Sequence, residues 1–122
     1  IWTQPLVVDD TLFVGSLDQN LYALGLDGQK RWQVAVEGWI RTNPVSANGL
    51  IVAAWGNHYG QGGVFAVDPV AKQIKWNRPV AAQVEGPVTV QNDLVYVNTV
   101  NSTVYALNLG DGSIVWTYPE NR

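Results

Sequence analysis

The sequence predicts an all-β fold: about three four-stranded antiparallel blades of a β-propeller, forming an open arc. Three observations lead there. The 122-residue chain repeats itself three times, each segment opened by a proline (Pro5, Pro44, Pro87) and closed by a tryptophan (Trp32, Trp76, Trp116). The prolines lie 39 and then 43 residues apart, and a period of about 40 residues marks propellers and solenoids, whose units cannot bury their faces without a neighbour. No segment holds the i, i+3, i+4, i+7 apolar spacing over the roughly 11 residues that an amphipathic helix needs.

Each repeat offers four strands in the same order. The first follows the proline, where a missing N–H is tolerated before ladder pairing begins. The second is TLFVGS from Thr11, GLIVAAW from Gly49 and DLVYVNT from Asp93. The third is LYAL from Leu21, VFAV from Val64 and VYAL from Val104, and the fourth carries the tryptophan, in QKRWQV, KQIKWNR and GSIVWTY. These runs are short, rich in Val, Leu, Ile, Tyr and Phe, and separated by Asp-Asp, Asn-Gly, Asp-Gly and Asn-Asp pairs, the punctuation of antiparallel hairpins. The expected organisation is one partial propeller domain over residues 1–122, with blades at about 1–38, 39–82 and 83–122. The alternative, three unrelated hairpins in a sandwich, leaves the repetition without a cause.

Composition narrows the function classes. Hydrophobic residues make up 47% of the chain and include six Trp, so a real core can form. Seven Lys and Arg against ten Asp and Glu leave a net charge of -3, the wrong sign for a phosphate-backbone footprint, and nucleic acid is not an expected partner. No apolar run approaches the roughly 18 residues of a membrane-spanning helix. There is no cysteine, hence no disulfide framework and no thiolate metal site. The chain begins with Ile and has fewer repeats than the roughly four to eight blades of known propellers. It is therefore expected either to be part of a longer propeller or to be completed by self-association.

The segment ALNLGDGSIVW, Ala106 to Trp116, resembles the tryptophan-docking motif of the PQQ-like, quinoprotein-type β-propeller repeat, in which Ala opens an eleven-residue run, Gly takes its seventh place and Trp closes it. Ala106, Gly112 and Trp116 match all three places. The middle copy keeps Ala66 and Trp76 but has Lys72 at the glycine place, and the first keeps Ala23 and Trp32 one residue closer together. The resemblance implies that these tryptophans are mortar between blades. Trp116→Ala, in the complete motif, is expected to cost roughly 3–5 kcal/mol, and replacing Trp39 much less.

The stretch WGNHYGQGG, Trp55 to Gly63, contains the only histidine and four glycines. Ten residues separate Phe13 from Ala23 and Tyr96 from Ala106, but fifteen separate Ile51 from Ala66. The stretch thus reads as a loop lengthened by five residues, with glycines supplying positive φ. In a four-stranded blade this loop and the blade-to-blade connections emerge on one face, which also places Trp2, Trp39, Ile40 and Arg41 there. Trp39, Arg41, Trp55, Asn57, His58, Tyr59 and Gln61 together have the makeup of a protein-recognition surface. An equally available reading is that Trp39 and Trp55 merely cover the inner rim.

The expected function is a non-catalytic scaffold or protein-interaction module, similar to the BamB-like members of the repeat family, which the resemblance also implies to be extracytoplasmic. His58 has no base, nucleophile or second histidine at catalytic or metal-ligand spacing. The alternative within the family is part of a dehydrogenase dependent on pyrroloquinoline quinone and calcium. The adjacent cysteine pair that covers the quinone is lacking here, and Asp9, Asp10, Asp18 and Glu85 lie in turns without a coordinating spacing. No cofactor and no metal are expected. A third reading is a sensor or carbohydrate-binding domain stacking ligands on Trp39, Trp55 and Tyr59.

Overall fold

The computed structural model describes residues 4–40 and 42–118; Trp2 and Arg41, both assigned to the loop face by sequence, lie outside them. Strands β1 (Leu6–Val8), β2 (Thr11–Gly15), β3 (Asn20–Gly25) and β4 (Lys30–Ala35) form one antiparallel meander. Strands β10 (Val84–Gln91), β11 (Leu94–Thr99), β12 (Val104–Asn108) and β13 (Ile114–Tyr118) form another. Between them lies the sheet of β7 (Leu50–Gly56), β8 (Gly62–Asp68) and β9 (Gln73–Val80), whose first strand comes in two pieces, β5 (Trp39–Ile40) and β6 (Val45–Ala47). These are three successive propeller blades.

Two of the first strands begin earlier than the prolines suggest. Trp39 and Ile40 pair with Gly56 and Trp55, and β10 runs through Pro87 where the register shifts between Glu85 and Thr89. Proline is tolerated at such an irregularity on an inner edge strand. Between β5 and β6 the Thr42 hydroxyl accepts the Ala54 N–H at 2.9 Å, replacing the ladder partner that the gap removes.

Burial alternates along the strands and locates the core. In β7, Leu50, Val52 and Ala54 pack with Val95, Val97, Tyr105 and Leu107 of the third blade. Their neighbours Ile51, Ala53 and Trp55 pack with Phe13, Leu21 and Ala23 of the first. The period of two thus sends alternate residues of one strand into two different cores. Strand β7 is buried along its whole length, whereas β3 and β11 are buried at about every second residue. Only the middle blade is covered on both faces.

The tryptophan of one blade docks on the turn of the next. Trp76 is 9% exposed, its indole N–H donates to the Leu109 carbonyl at 2.8 Å, and an added Cβ on Gly112 would come within 2.3 Å of its ring. Arg78 reinforces the contact by donating from Nε to the Gly112 carbonyl at 2.8 Å. The alanine of the motif is the cross-strand partner of its own tryptophan in all three blades: Ala23 with Trp32, Ala66 with Trp76, Ala106 with Trp116. A small residue there lets the indole lie flat on the sheet. The matching glycine belongs to the following blade.

This corrects the expectation of a buried Trp116 drawn from motif completeness. Trp116 has its glycine within its own copy, but among the described residues no neighbouring blade covers it, and it is 44% exposed. Trp32 is partly buried, edge-on to Phe13 with ring centroids 5.8 Å apart. Replacing Trp76 by Ala is therefore expected to cost about 3–5 kcal/mol, the range for a buried aromatic, and replacing Trp116 under about 1.5 kcal/mol; thermal melts of the two variants give the order. Gly112→Ala places a Cβ into the indole at a φ of +76°, whereas Gly28, at +84°, has open space around it. Melts are expected to show a loss of about 1 kcal/mol for Gly28→Ala, from backbone strain alone, and a clearly larger one for Gly112→Ala.

Candidate functional site: the loop face

The β2–β3, β7–β8 and β11–β12 connections are one turn written three times. Ser16 N–H donates to the Asn20 carbonyl at 3.1 Å, Asn57 to Gln61 at 2.9 Å and Thr99 to Thr103 at 2.9 Å. Ser16, Asn57 and Thr99, the opening residues, are all buried and polar. The fourth places, Gln19, Gly60 and Ser102, are all left-handed, with φ of 77°, 80° and 68°. In the middle blade the Asn57 side-chain oxygen accepts the N–H groups of Tyr59 at 3.0 Å and Gln61 at 3.1 Å, while its amide donates to Gln61 Oε1 at 2.9 Å. Such a residue satisfies the turn's inward-facing donors, as Ser, Thr and Asn commonly do.

The extra length of the middle hairpin therefore sits in its strands, and the turn keeps its size. Ala66 pairs with Val52, not with Ile51, as Ala23 pairs with Phe13 and Ala106 with Tyr96. From that pair the middle ladder continues to Gly56↔Gly62, while its neighbours stop at Gly15↔Leu21 and Asn98↔Val104. That is two rungs more, which lifts the turn by roughly 7 Å at the usual rise per strand residue.

The glycines of WGNHYGQGG serve this extension mostly by being small. Only Gly60 has positive φ, so the expectation that the set supplies turn conformations holds at that one place. A Cβ on Gly63 would lie 2.4 Å from Trp55 Nε1, and one on Gly62 would lie 2.3 Å from the Ala82 carbonyl. The Trp55 indole lies over the Gly63 backbone and donates to Asn77 Oδ1 at 3.1 Å; the Asn77 amide donates in turn to Glu37 Oε2 at 3.0 Å. Trp55 and Asn57 thus face inward, a correction to their assignment to the recognition surface. Trp55 packs between the first two blades, and Asn57 ties the turn.

The connections between blades lie on the same face, as the topology requires. Val36 N–H donates to the Gln19 carbonyl at 2.8 Å, Ile40 to Ser16 at 3.1 Å and Val100 to Gln83 at 2.8 Å, and the Gln83 amide donates to the Asn57 carbonyl. Ile40, expected at the face, is instead buried in the core shared by the first two blades. Trp39 is half-buried and its ring lies 5.8 Å from that of His58, which stands 4.1 Å from Tyr59. The three rings form a ladder rising from the blade connection to the tip, where Tyr59 is 77% exposed. A cleft of about 490 Å³ is lined by Glu37, Trp55, Gln61, Asn77 and Pro79.

The sequence reading missed Leu17 and Val100, exposed hydrophobics that take the second turn place in the outer blades as His58 does in the middle one. Aligning the turns by their buried polar opener would have found them. Asp18 serves its turn: burial pushes its carboxyl up, but hydrogen bonds accepted from Tyr22 and Asn20 outweigh that and hold it below its ordinary value. Among the described residues no three His, Asp or Glu side chains gather at a spacing that could hold a metal ion.

With this geometry, comparison with known proteins is informative. The sequence profile of the family described as outer membrane protein assembly factor BamB matches residues 57–122, just over half of the chain. The chain belongs to this family. The BamB of Burkholderia pseudomallei is 30% identical over 112 residues, which cover 87% of this chain and 28% of that protein. The crystal structure of BamB from Moraxella catarrhalis superposes with a TM-score of 0.77 at 22% identity, over 98% of this chain and 35% of that one. A quinohemoprotein alcohol dehydrogenase from Pseudomonas putida superposes with a TM-score of 0.76 at 19% identity, over 93% of this chain and 26% of that one. The two superpositions establish the propeller fold, and the chain spans about a third or less of the length of these relatives.

Two variants separate support from surface. Asn57→Ala leaves several turn donors unsatisfied and is expected to cost about 1–3 kcal/mol, whereas Tyr59→Ala is expected within about 0.5 kcal/mol of wild type. Chemical denaturation followed by far-UV circular dichroism measures both. An equal loss for the two would contradict this division of roles.

Proposed function

We propose that the chain is a non-catalytic propeller scaffold, acting in outer-membrane protein assembly on the extracytoplasmic side, whose loop face holds a protein partner. The observation that carries this reading is the two-rung extension of the middle hairpin, which raises an aromatic ladder above the neighbouring turns and leaves Tyr59 open to solvent. Aromatic side chains backed by a rigid support and rimmed by polar groups are the usual anchors of protein interfaces. Here the support is the Asn57 network and the rim is Gln61, His58 and Glu37. Leu17 and Val100 extend the same face to either side. The name of the BamB relatives, outer membrane protein assembly factors, supports the partner class.

The chemistry of the face suits binding better than turnover. His58 makes ring contacts with Trp39 and Tyr59, and the described structure places no nucleophile against it. Equilibrium dialysis with pyrroloquinoline quinone and calcium is expected to show no retention, and retention would favour a dehydrogenase role instead.

Site-specific photocrosslinking in the native cell tests the partner face. A photoreactive residue in place of Tyr59 is expected to yield a discrete protein adduct. The same group in place of Val70, exposed on the opposite face, is expected to yield none. Equal adducts from both positions, or none from position 59, would overturn the assignment.

A further inference from the structure

The two extra rungs of the middle hairpin, Trp55↔Gly63 and Gly56↔Gly62, continue across the sheet into β9, where Gly63 pairs with Pro79 and Gly62 with Val80. Ile40, Trp55, Gly63 and Pro79 thus stand in one cross-strand row, on the side of the sheet that packs on the first blade lower down. At the height of these rungs the ladder of the first blade has ended, and the connection leading out of it crosses the row instead. A Cβ on Gly38 would lie 2.4 Å from the Gly56 carbonyl oxygen and 2.9 Å from the Trp55 ring, so the connection is seated directly on the sheet. The cleft of about 490 Å³ is lined by Glu37 of this connection and by Asn77, Pro79 and Val80 of β9. All its lining residues belong to the middle blade and its lead-in connection, away from both ends of the arc.

The cleft holds one charged group, and that group is fixed in place. Glu37 is exposed, but its neighbours Val36 and Gly38 are buried, and the Val36 N–H is tied to the Gln19 carbonyl. The Asn77 amide donates to both carboxylate oxygens, at 3.0 and 3.3 Å, and Asn77 is itself held by the indole N–H of Trp55. Among the described residues Asn77 is the only hydrogen-bond partner of the Glu37 carboxylate, and no cation pairs with it. A carboxylate has about four lone-pair sites, so with one amide bound it can still accept two parallel N–H bonds. Pro79 and Val80 add an apolar wall, and Gln61 contributes to the rim. An anion would be repelled by the carboxylate, and a sugar ring would find no aromatic face to stack on, because Trp55 is 5% exposed. A planar cation on an apolar stem matches both the acceptor and the wall.

We propose that this cleft receives an arginine side chain from the protein bound on the loop face, its guanidinium on the Glu37 carboxylate and its stem against Pro79 and Val80. Arginine fits better than lysine because a carboxylate held in one orientation matches a rigid two-pronged donor, and a guanidinium is more weakly hydrated than an ammonium. The net charge of -3 draws a basic segment toward the chain. The Trp39–His58–Tyr59 ladder and the cleft draw on the same two segments, the 36–39 connection and the 57–61 turn, so one partner segment can reach both. The ladder supplies aromatic contact, and the cleft supplies the charge that selects the segment and sets its register. This assignment rests on the reading of the loop face as a partner surface.

The test uses the full-length protein in its native cell, with a photoreactive residue in place of Tyr59, and compares adduct yield with and without Glu37→Gln. Glutamine keeps the shape of the side chain and an oxygen for Asn77 but removes the charge. Position 37 is exposed, so the melt and the cellular level of the variant are expected to match those of the parent. The adduct yield is expected to fall at least about tenfold, as for the loss of a paired interfacial charge. Mass spectrometry of the adduct is expected to map a segment containing an arginine whose replacement by Gln lowers the yield to the same degree. Combined, the two substitutions are expected to lower it no further than either alone, the mark of a direct pair. A yield unchanged by Glu37→Gln, a mapped segment without arginine, or two losses that multiply overturns the inference and leaves the loop-face reading standing. Absence of any adduct from position 59 with Glu37 intact instead overturns the loop-face reading, and this assignment falls with it.

Discussion

The seating of a flat indole on a glycine turn of the neighbouring sheet is the constraint from which the rest of the arrangement follows. Trp76 and Gly112 fix the distance, tilt and order of the second and third blades at once, since the ring must lie where a Cβ would otherwise be and its N–H must reach the Leu109 carbonyl. Once two sheets are held face to face, the period of two along each strand decides the remainder. The central strands of a middle blade must be apolar on both sides, and the continuous burial of β7 and β8 beside the alternating burial of β3 and β11 reflects that condition. The outer strand β9 escapes it, keeping Lys75, Asn77 and Arg78. The sequence IVAAW in the middle blade, against alternation at the ends, is the chemical record of blade position.

Most of the architecture was legible because repetition is legible. Three copies of one strand pattern yield the blade, and the docking motif yields the family, without any knowledge of distances. The errors came from treating a copy as self-contained. Gly112 lies in the same copy as Trp116 but serves Trp76, so completeness within a copy says little about burial. The docking pair is split between repeats that are far apart in sequence, and a one-dimensional motif cannot show that division. Counting residues from Ile51 misplaced the extra length of the middle hairpin for a related reason. An apolar run such as LIVAAW has no internal mark of register, and only pairing shows that Val52 is the equivalent of Phe13.

The candidate site was legible in part. Glycine, aromatic and amide residues crowded into nine positions do mark an unusual hairpin, and Tyr59 and His58 are at its tip. What composition could not separate was ring from ring. Trp55 points inward because its position in β7 has odd parity with Ile51 and Ala53, and Gly63 across the ladder leaves room for the indole. Trp39 stays half-exposed because it is the first residue of the short β5 and stacks toward His58. Asn57 resembles a surface amide until its hydrogen bonds are counted. Three hydrogen bonds within one turn leave its side chain engaged with its own loop.

The two faces of the arc answer to different demands, and this bears on where function can reside. On the face opposite the loop face, the β12–β13 turn must both turn the chain and receive the Trp76 indole, so its left-handed residue Gly112 is fixed by packing as well as by backbone geometry. On the loop face, the buried opener and the left-handed fourth residue close the turn by themselves. The second places, Leu17, His58 and Val100, and Tyr59 at the third place of the middle blade carry little of the turn's hydrogen bonding, whereas Asp18 and Asn101 at the third places of the outer blades accept bonds within their turns. Side chains at the former places can change at little cost to the blade. Lengthening the hairpin by whole rungs below them preserves the turn while raising it, because adding residues in cross-strand pairs keeps every side chain on its own face. A recognition surface built this way can be altered in height and chemistry without disturbing the indole contacts that hold the blades together.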